Sequence, residues 1–420
     1  MLPGLAGPTA GPASTPDVRH RGRGRHHVQV RILVTFSGSS GHFLPTVPFA
    51  RALRERGHEV LYACQEAMVP AVTAGGWAAA ATGGATLLAP AVRRPLMPVD
   101  RQAEERAIRT SFAGSIARER AGRLHELAGE WQPDLIVRDE VDFAGAVAAE
   151  AHGIPHAAVV VIAAGGFLRP EVVAEPLAAL RAEYGLDPGD TMTMLHRYLT
   201  IVPAPPGYRD PRDPLPVTAH HVRPAVLESP RGQDGPPGAA AHAGLPMVYF
   251  TLGTIFHQES GDLFQRAIAG LSSLPVSLVV TVGREIDPAE LGDQPPGVRV
   301  EQFLPAADLL ARADLVVSHG GSGTVIGALA FGLPQVLLPL GADQPLNADR
   351  CESLGVAVVL DAASSTADAI GRAATAVLRD PSYAASAGRI RDEISALPDA
   401  RHAGSLLEEL ARCRAPLPCG

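Results

Sequence analysis

The chain has 420 residues, 46% hydrophobic and 19% charged, a length and balance that suit two α/β domains each burying its own core. A formal charge of -8 excludes a global field for nucleic acid. All 36 basic residues are arginine, which excludes lysine Schiff-base chemistry and a P-loop lysine on a phosphate.

Cys64, Cys351, Cys413 and Cys419 form no C-x-x-C pair, so structural zinc is not expected and a reducing, cytoplasmic setting is. The longest apolar run, Ala157 to Leu168, is too short to span a membrane. The N-terminus lacks the order of a signal peptide. Residues 1–28, rich in Gly, Pro, Arg and His, read as a disordered extension.

In chain order, Arg31 to Phe36 reads as a buried strand and Thr46 to Arg56 as an amphipathic helix stopped by Gly57. Strands are predicted at Glu59 to Ala63, Leu135 to Arg138 and Ala157 to Ile162, with a charged helical stretch over 102–129. The Pro- and Gly-rich stretch 226–245 reads as a linker. Alternation then restarts with strands at Met247 to Leu252, Val276 to Val282, Val298 to Gln302, Asp314 to Val317 and Gln335 to Leu338. The fold class expected is α/β, with two Rossmann-like doubly wound domains, 29–225 and 246–400, facing a cleft.

The densest stretch is SHGGSGTVIGALAFGLPQVLLPLGADQPLNADR, residues 318–350. A strand runs into Ser318-His319, then Gly320, Gly321 and Gly323 form a tight turn, and a helix opens near Thr324. The first amides of that helix lack internal partners and glycines admit a ligand to them, so the turn suits a diphosphate. Ser322, Thr324 and His319 add donors. Asp343 and Gln344 end the next strand on the same rim, where a carboxylate and an amide suit adjacent sugar hydroxyls; Asp343 as a plain helix N-cap is the simpler reading. Asn347, the sole asparagine, follows one turn later.

This order of residues, with Gly332-x-Pro334-Gln335 and Pro339, resembles the donor-binding motif of nucleotide-sugar glycosyltransferases, in the bacterial antibiotic and macrolide branch of the GT-B superfamily. The resemblance covers the C-terminal half, including Tyr249 to Thr254, and is weaker near the N-terminus. It implies a nucleotide base packed on Phe303, beside Leu304, where the family has W-x-P-Q and this chain has Phe303-Leu-Pro-Ala306. It implies Thr254 near the donor phosphate, and Asp343-Gln344 on the sugar. It places Gly41-His42-x-x-Pro45 where the family has its general base, with Asp139 as the carboxylate behind His42; Glu140 and Asp142 keep that choice open. It further implies inverting displacement of a uridine or thymidine diphosphate and a helix near 404–412, within 401–420, that crosses back to the first domain. No metal or cofactor is called for. The implied partners are a nucleotide sugar and a hydrophobic small-molecule acceptor, with no nucleic acid, no membrane span, and a homodimer left open. Residues 75–110 and 163–225, with Phe167, Met192, Met194 and Tyr198, are the expected acceptor pocket or plain core. A serine hydrolase lacks its G-x-S-x-G elbow here, and a dehydrogenase its G-x-G-x-x-G. A non-hydrolysing sugar-nucleotide epimerase and a catalytically silent nucleotide-sugar-binding protein are the remaining alternatives.

Overall fold

The structure is a computed structural model that describes residues 29–84, 94–228 and 244–419. The extension expected at 1–28 and most of the 226–245 linker lie outside the described residues. The first three residues of that linker belong instead to a short helix, Ala225–Glu228.

The first sheet contains β1 (Arg31–Thr35), β2 (Glu59–Cys64), β3 (Ala78–Ala81), β4 (Leu135–Asp139), β5 (His156–Val159), β6 (Leu199–Val202) and β7 (Ala219–His221). Their order is β3-β2-β1-β4-β5-β6-β7 and every pair is parallel. The second sheet contains β8 (Met247–Thr251), β9 (Ser277–Thr281), β10 (Val298–Glu301), β11 (Leu315–Ser318), β12 (Gln335–Leu337) and β13 (Ala357–Val359), in the order β10-β9-β8-β11-β12-β13, again all parallel. Central parallel strands are covered by helices on both faces, which is why β4, β8, β9 and β11 are buried along their whole length. These are the two doubly wound domains that the alternation predicts.

In each sheet the strand order reverses beside its first strand, between β1 and β4 and between β8 and β11. Such a reversal opens a crevice at the carboxyl ends of the strands, where α/β proteins hold ligands. The register sets Thr35 beside Arg138 and Ser318 beside Thr251, so the loops that follow these four strands emerge as pairs.

The chain enters the second domain after β7 and leaves it after the helix Pro381–Ala396. The last helix, Ala400–Cys413, returns to the first domain and buries Ala403, Leu407 and Leu410 against a cluster with Phe49 and Leu53. Glu408 on that helix accepts from Arg56 Nε at 2.7 Å and lies 2.6 Å from His58 Nε2. Arg223 donates its amide to Pro398 O at 2.9 Å, so the two crossings between domains lie side by side.

Parts of both supposed acceptor stretches are framework. Residues 78–81, 199–202 and 219–221 are strands, and Phe167 and Met194 are buried in the first domain's core.

Candidate active site

At the first crevice, β1 ends in a turn whose Gly38 has φ of 135°, and a short helix Ser40–Phe43 follows. Any Cβ on Gly38 would stand 2.5 Å from His42 Cδ2, so only glycine lets the imidazole lie over this turn. His42 Nδ1 is 3.2 Å from Asp139 Oδ2, and the two side chains are 22% and 0% exposed. Asp139 also accepts from the Ser37 amide at 2.8 Å and from the Val141 amide at 2.7 Å. A carboxylate so placed needs a donor from the ring, which assigns the proton to Nδ1 and leaves the Nε2 lone pair free to act as a base. Burial works against a charged ring. The Asp139 carboxylate, with Asp343 and Glu140 farther off, outweighs it and holds His42 above its ordinary pKa of 6.5. Phe112 stacks on the imidazole with centroids 6.0 Å apart. Gly41 is exposed, with open space where a Cβ would be.

The three acids at the end of β4 go separate ways. Asp139 faces His42. Glu140 turns to the next loop and accepts from the Val161 and Ile162 amides at 2.7 and 2.5 Å; burial pushes its pKa up to about 7. Asp142 pairs with Arg120 at 2.5 Å, both fully buried, and accepts the Gly145 amide at the start of the helix Phe143–Ala151.

At the second crevice, β11 delivers His319, and Gly320 turns the chain with φ of 86° into the helix Ser322–Ala330. The His319 ring lies against two glycines: a Cβ on Gly253 or Gly321 would stand 2.5 or 2.7 Å from its Nε2. Burial, with His257 nearby, lowers its pKa to about 4, so the ring is neutral at pH 7; its Nδ1 is buried without a protein partner. Gly323 and Thr324 open the helix, Gly323 exposed with free space around it and Thr324 half-buried. A Cβ on Gly327 would stand 3.3 Å from Leu310 and 4.0 Å from Val226, both on neighbouring helices.

Asp343 is the N-cap residue of the helix Gln344–Ser353, yet its side chain makes no cap bond. Its Oδ2 instead accepts from Ser322 Oγ at 2.6 Å, the Ser322 amide at 3.3 Å and Asn347 Nδ2 at 2.8 Å. A carboxylate thus already sits at the N-terminus of the helix Ser322–Ala330. Gln344 is buried, and its Oε1 takes the Leu340 and Gly341 amides at 2.7 and 3.3 Å. Each side chain is thus engaged within the protein through one oxygen, Asp343 Oδ2 and Gln344 Oε1.

The two crevices face each other. The Ala163 amide of the first domain donates to Ser322 Oγ at 2.9 Å, and the Ala164 amide to Asn347 Oδ1 at 3.3 Å. Tyr208 OH, also from the first domain, is 3.3 Å from Asn347 Oδ1. Asn347, singled out by rarity and by its place in the motif, is the junction between the Gly320–Ser322 turn and the opposite domain. Sequence reasoning missed Ala163, Ala164 and Tyr208. The first two act through backbone amides, which leave no side-chain signature, and a lone Tyr in a Pro-rich loop offers none either.

Thr254 is exposed beyond β8, next to Gly253. Phe303 is 57% exposed, with the Arg284 guanidinium 4.6 Å from its ring centroid. Leu304 turns inward onto the cluster around Met247 and Tyr249, so Phe303 is the exposed member of that pair. His257 is fully buried and lies 2.7 Å from Glu285. His152 and His156 part company: one contacts His125, the other Arg138 and Glu150.

Two parallel α/β domains with facing switch-point crevices, one carrying a glycine turn and the other a histidine–carboxylate pair, define the GT-B architecture. The chain belongs to the antibiotic and macrolide branch of the family 1 nucleotide-sugar glycosyltransferases. Residues 51–170 match the family model described as erythromycin biosynthesis protein CIII-like, N-terminal domain, and residues 265–410 its C-terminal counterpart. The chain is 30% identical to L-demethylnoviosyl transferase of Streptomyces niveus, over 88% of this chain and 95% of that protein. It is 31% identical to the elloramycin glycosyltransferase ElmGT of Streptomyces olivaceus, over 88% and 94%. The solved structure of glycosyltransferase VinC in complex with dTDP superposes with a TM-score of 0.70 at 26% identity, over 91% of this chain and 99% of that one. Among the described residues no helix is long and apolar enough to cross a membrane.

Proposed function

We propose that this protein transfers a hexose or deoxyhexose from a uridine or thymidine diphosphate sugar to a hydroxyl of a hydrophobic small molecule, with inversion at the anomeric carbon. The observation that carries this reading is the His42–Asp139 pair across the cleft from the Gly320–Thr324 turn, close enough that Asp343 contributes to the His42 field. His42 Nε2 takes the acceptor proton as the oxygen attacks. Asp139 holds the ring by Nδ1 and stabilises the imidazolium that forms. The diphosphate departs toward the amides that open the helix Ser322–Ala330, with Ser322, Thr324, Thr254 and the neutral His319 ring as further donors. Phe303 supports the base and Asp343 and Gln344 face the sugar. The nucleotide sugar is the co-substrate, and no step is routed through a metal or resident cofactor. VinC, a relative solved with dTDP, supports a nucleoside diphosphate ligand.

The test is a panel of uridine and thymidine diphosphate sugars against hydrophobic phenolic and macrolactone acceptors, read by mass. Wild type forms a glycoside and His42→Ala does not, while still binding the nucleotide. Equal turnover by His42→Ala would refute the base assignment. Stereochemistry at the new anomeric centre tests inversion separately.

A further inference from the structure

Asn347 is fully buried where the two domains meet, and the two ends of its amide serve opposite needs. On the first-domain side stand two donors, the Ala164 amide and the Tyr208 hydroxyl, each 3.3 Å from Oδ1. On the second-domain side stand acceptors: Gly320 O at 3.0 Å, Asp343 Oδ2 at 2.8 Å and Ser322 Oγ at 3.1 Å, all met by Nδ2. Burial holds the Tyr208 hydroxyl well above its ordinary pKa of 10, so it keeps the proton it donates. Ser322 cannot stand in for Nδ2, because its one hydroxyl proton already goes to Asp343 at 2.6 Å.

Only one setting of this amide works. Turned over, its oxygen faces a carbonyl and a carboxylate, and its NH2 group faces two donors. Each contact then sets like against like, and buried polar groups without partners are costly. The donors that choose the setting belong to the first domain, and the acceptors that use it belong to the second. Asn347 follows Asp343 by one turn of helix, with the Asn347 amide on Asp343 O at 3.0 Å, so the spacing brings its NH2 group over that carboxylate. A carboxylate held at one oxygen by an N–H and a hydroxyl has its direction fixed.

We propose that Asn347 is a positioning residue for the donor sugar: Tyr208 and Ala164 of the first domain hold its amide in one setting, and that setting fixes the Asp343 carboxylate. The proposal rests on the donor reading above, in which Asp343 faces the sugar. It makes sugar recognition in the second domain depend on two groups of the first, neither of which touches the sugar.

The experiment is calorimetry on the full chain with UDP, dTDP and a panel of their sugars. Asn347→Ala weakens the tightest nucleotide sugar about tenfold, and its bare nucleotide by no more than about threefold through the Gly320 turn. Tyr208→Phe removes one hydroxyl from the other domain and weakens the nucleotide sugar about threefold. The double variant stays at about tenfold, short of the roughly thirtyfold of independent effects, because Tyr208 acts through Asn347. Asn347→Asp sets a second carboxylate against Asp343. At about pH 8 it binds more weakly than Asn347→Ala; at about pH 5.5 a proton shared by the two acids replaces the lost N–H and restores most of the wild-type affinity at that pH. An additive double variant, equal weakening of nucleotide sugar and bare nucleotide, or no acid recovery in Asn347→Asp would each overturn the proposal. Wild-type affinity in Asn347→Ala overturns it while leaving the donor reading intact; wild type that binds none of these ligands sinks both. Should the Asn347 variants not fold, Tyr208→Phe decides by NMR. Asparagine labelled with nitrogen-15 in its side chain gives a single NH2 signal here, because the chain has a single asparagine. Several-fold faster hydrogen exchange of that group in Tyr208→Phe supports the role, and unchanged exchange overturns it.

Discussion

Replacing Asp139 with asparagine puts the whole base assignment at risk in one step. The carboxylate takes three contacts, from the amides of Ser37 and Val141 and from His42 Nδ1. Asparagine keeps the shape but has one acceptor and one donor. If its oxygen keeps Val141, its NH2 group confronts the Ser37 amide and the His42 ring, donor against donor. The unmade buried bond costs about 1–3 kcal/mol of stability. The ring then turns over its tautomer, presents N–H at Nε2, and has no lone pair for the acceptor. Turnover falls roughly 10²- to 10⁴-fold, the usual worth of a positioned general base. The pH profile gives the sharper signature. In wild type the His42 pKa lies above 6.5, so kcat/KM climbs with pH through a midpoint above that value. Without the Asp139 charge, burial is left to act and the midpoint moves down. Stability follows the same sign: the raised pKa adds stability that is full below 6.5 and is lost as pH rises through the wild-type midpoint, and Asp139→Asn removes it. The assay is kcat/KM from about pH 5 to 9 with one glycosyl donor, beside thermal melts at both ends. An unmoved acid limb, or turnover within a few-fold of wild type, would refute the reasoning.

Ser322→Ala removes the hydroxyl that bonds Asp343 at 2.6 Å and receives the Ala163 amide at 2.9 Å; donor KM rises about tenfold, with a smaller change in kcat, in initial-rate kinetics. Phe303→Ala takes away an aromatic face that is 57% exposed, and calorimetry with bare UDP or dTDP reads a loss of about 0.5–1.5 kcal/mol, while Phe303→Trp binds at least as tightly as wild type. Leu407→Ala opens a cavity beneath the returning helix, where the side chain is 0% exposed, and destabilises the protein by about 2–5 kcal/mol in denaturant melts. Glu408→Gln weakens the tie to Arg56 and His58 by about 1 kcal/mol, discounted for partial exposure. The bond from Arg56 holds the Glu408 carboxyl below its ordinary value of 4.5, so this stabilisation is present above that pH and fades as pH falls through the lowered pKa; the melting difference at pH 7 vanishes in acid.

Much of the frame could be read from the chain. Continuous apolar runs mark the central strands, because parallel strands covered on both faces leave no polar side. The glycine turn at 320–323 is visible because its chemistry is local: the strand, the bend and the helix start are contiguous. His42 is visible only through the resemblance of Gly41-His42-x-x-Pro45 to the family motif. The partner of His42 is not, since Asp139, Glu140 and Asp142 are alike as acids, and only the direction each side chain takes at the end of β4 separates them. The links from Ala163 to Ser322 and from Ala164 to Asn347 are backbone amides brought across a cleft, and no pattern of side chains announces them. Glu104 lies in the stretch 102–129, which reads from the chain only as charged and helical, yet it and the preceding Arg101 reach the other domain. Phe167 and Met194 show the converse: apolar side chains beside an expected pocket are simply core.

The adjacent crossings of the chain have a mechanical consequence. The second domain is an insert, held by one cord after β7 and another at residues 397–399, and the bond from Arg223 to Pro398 ties the cords together. Opening of the cleft is therefore expected to be a rocking about Arg223 and Pro398 rather than a slide, working against the further ties from Ala163 to Ser322 and from Arg101 to Asp349.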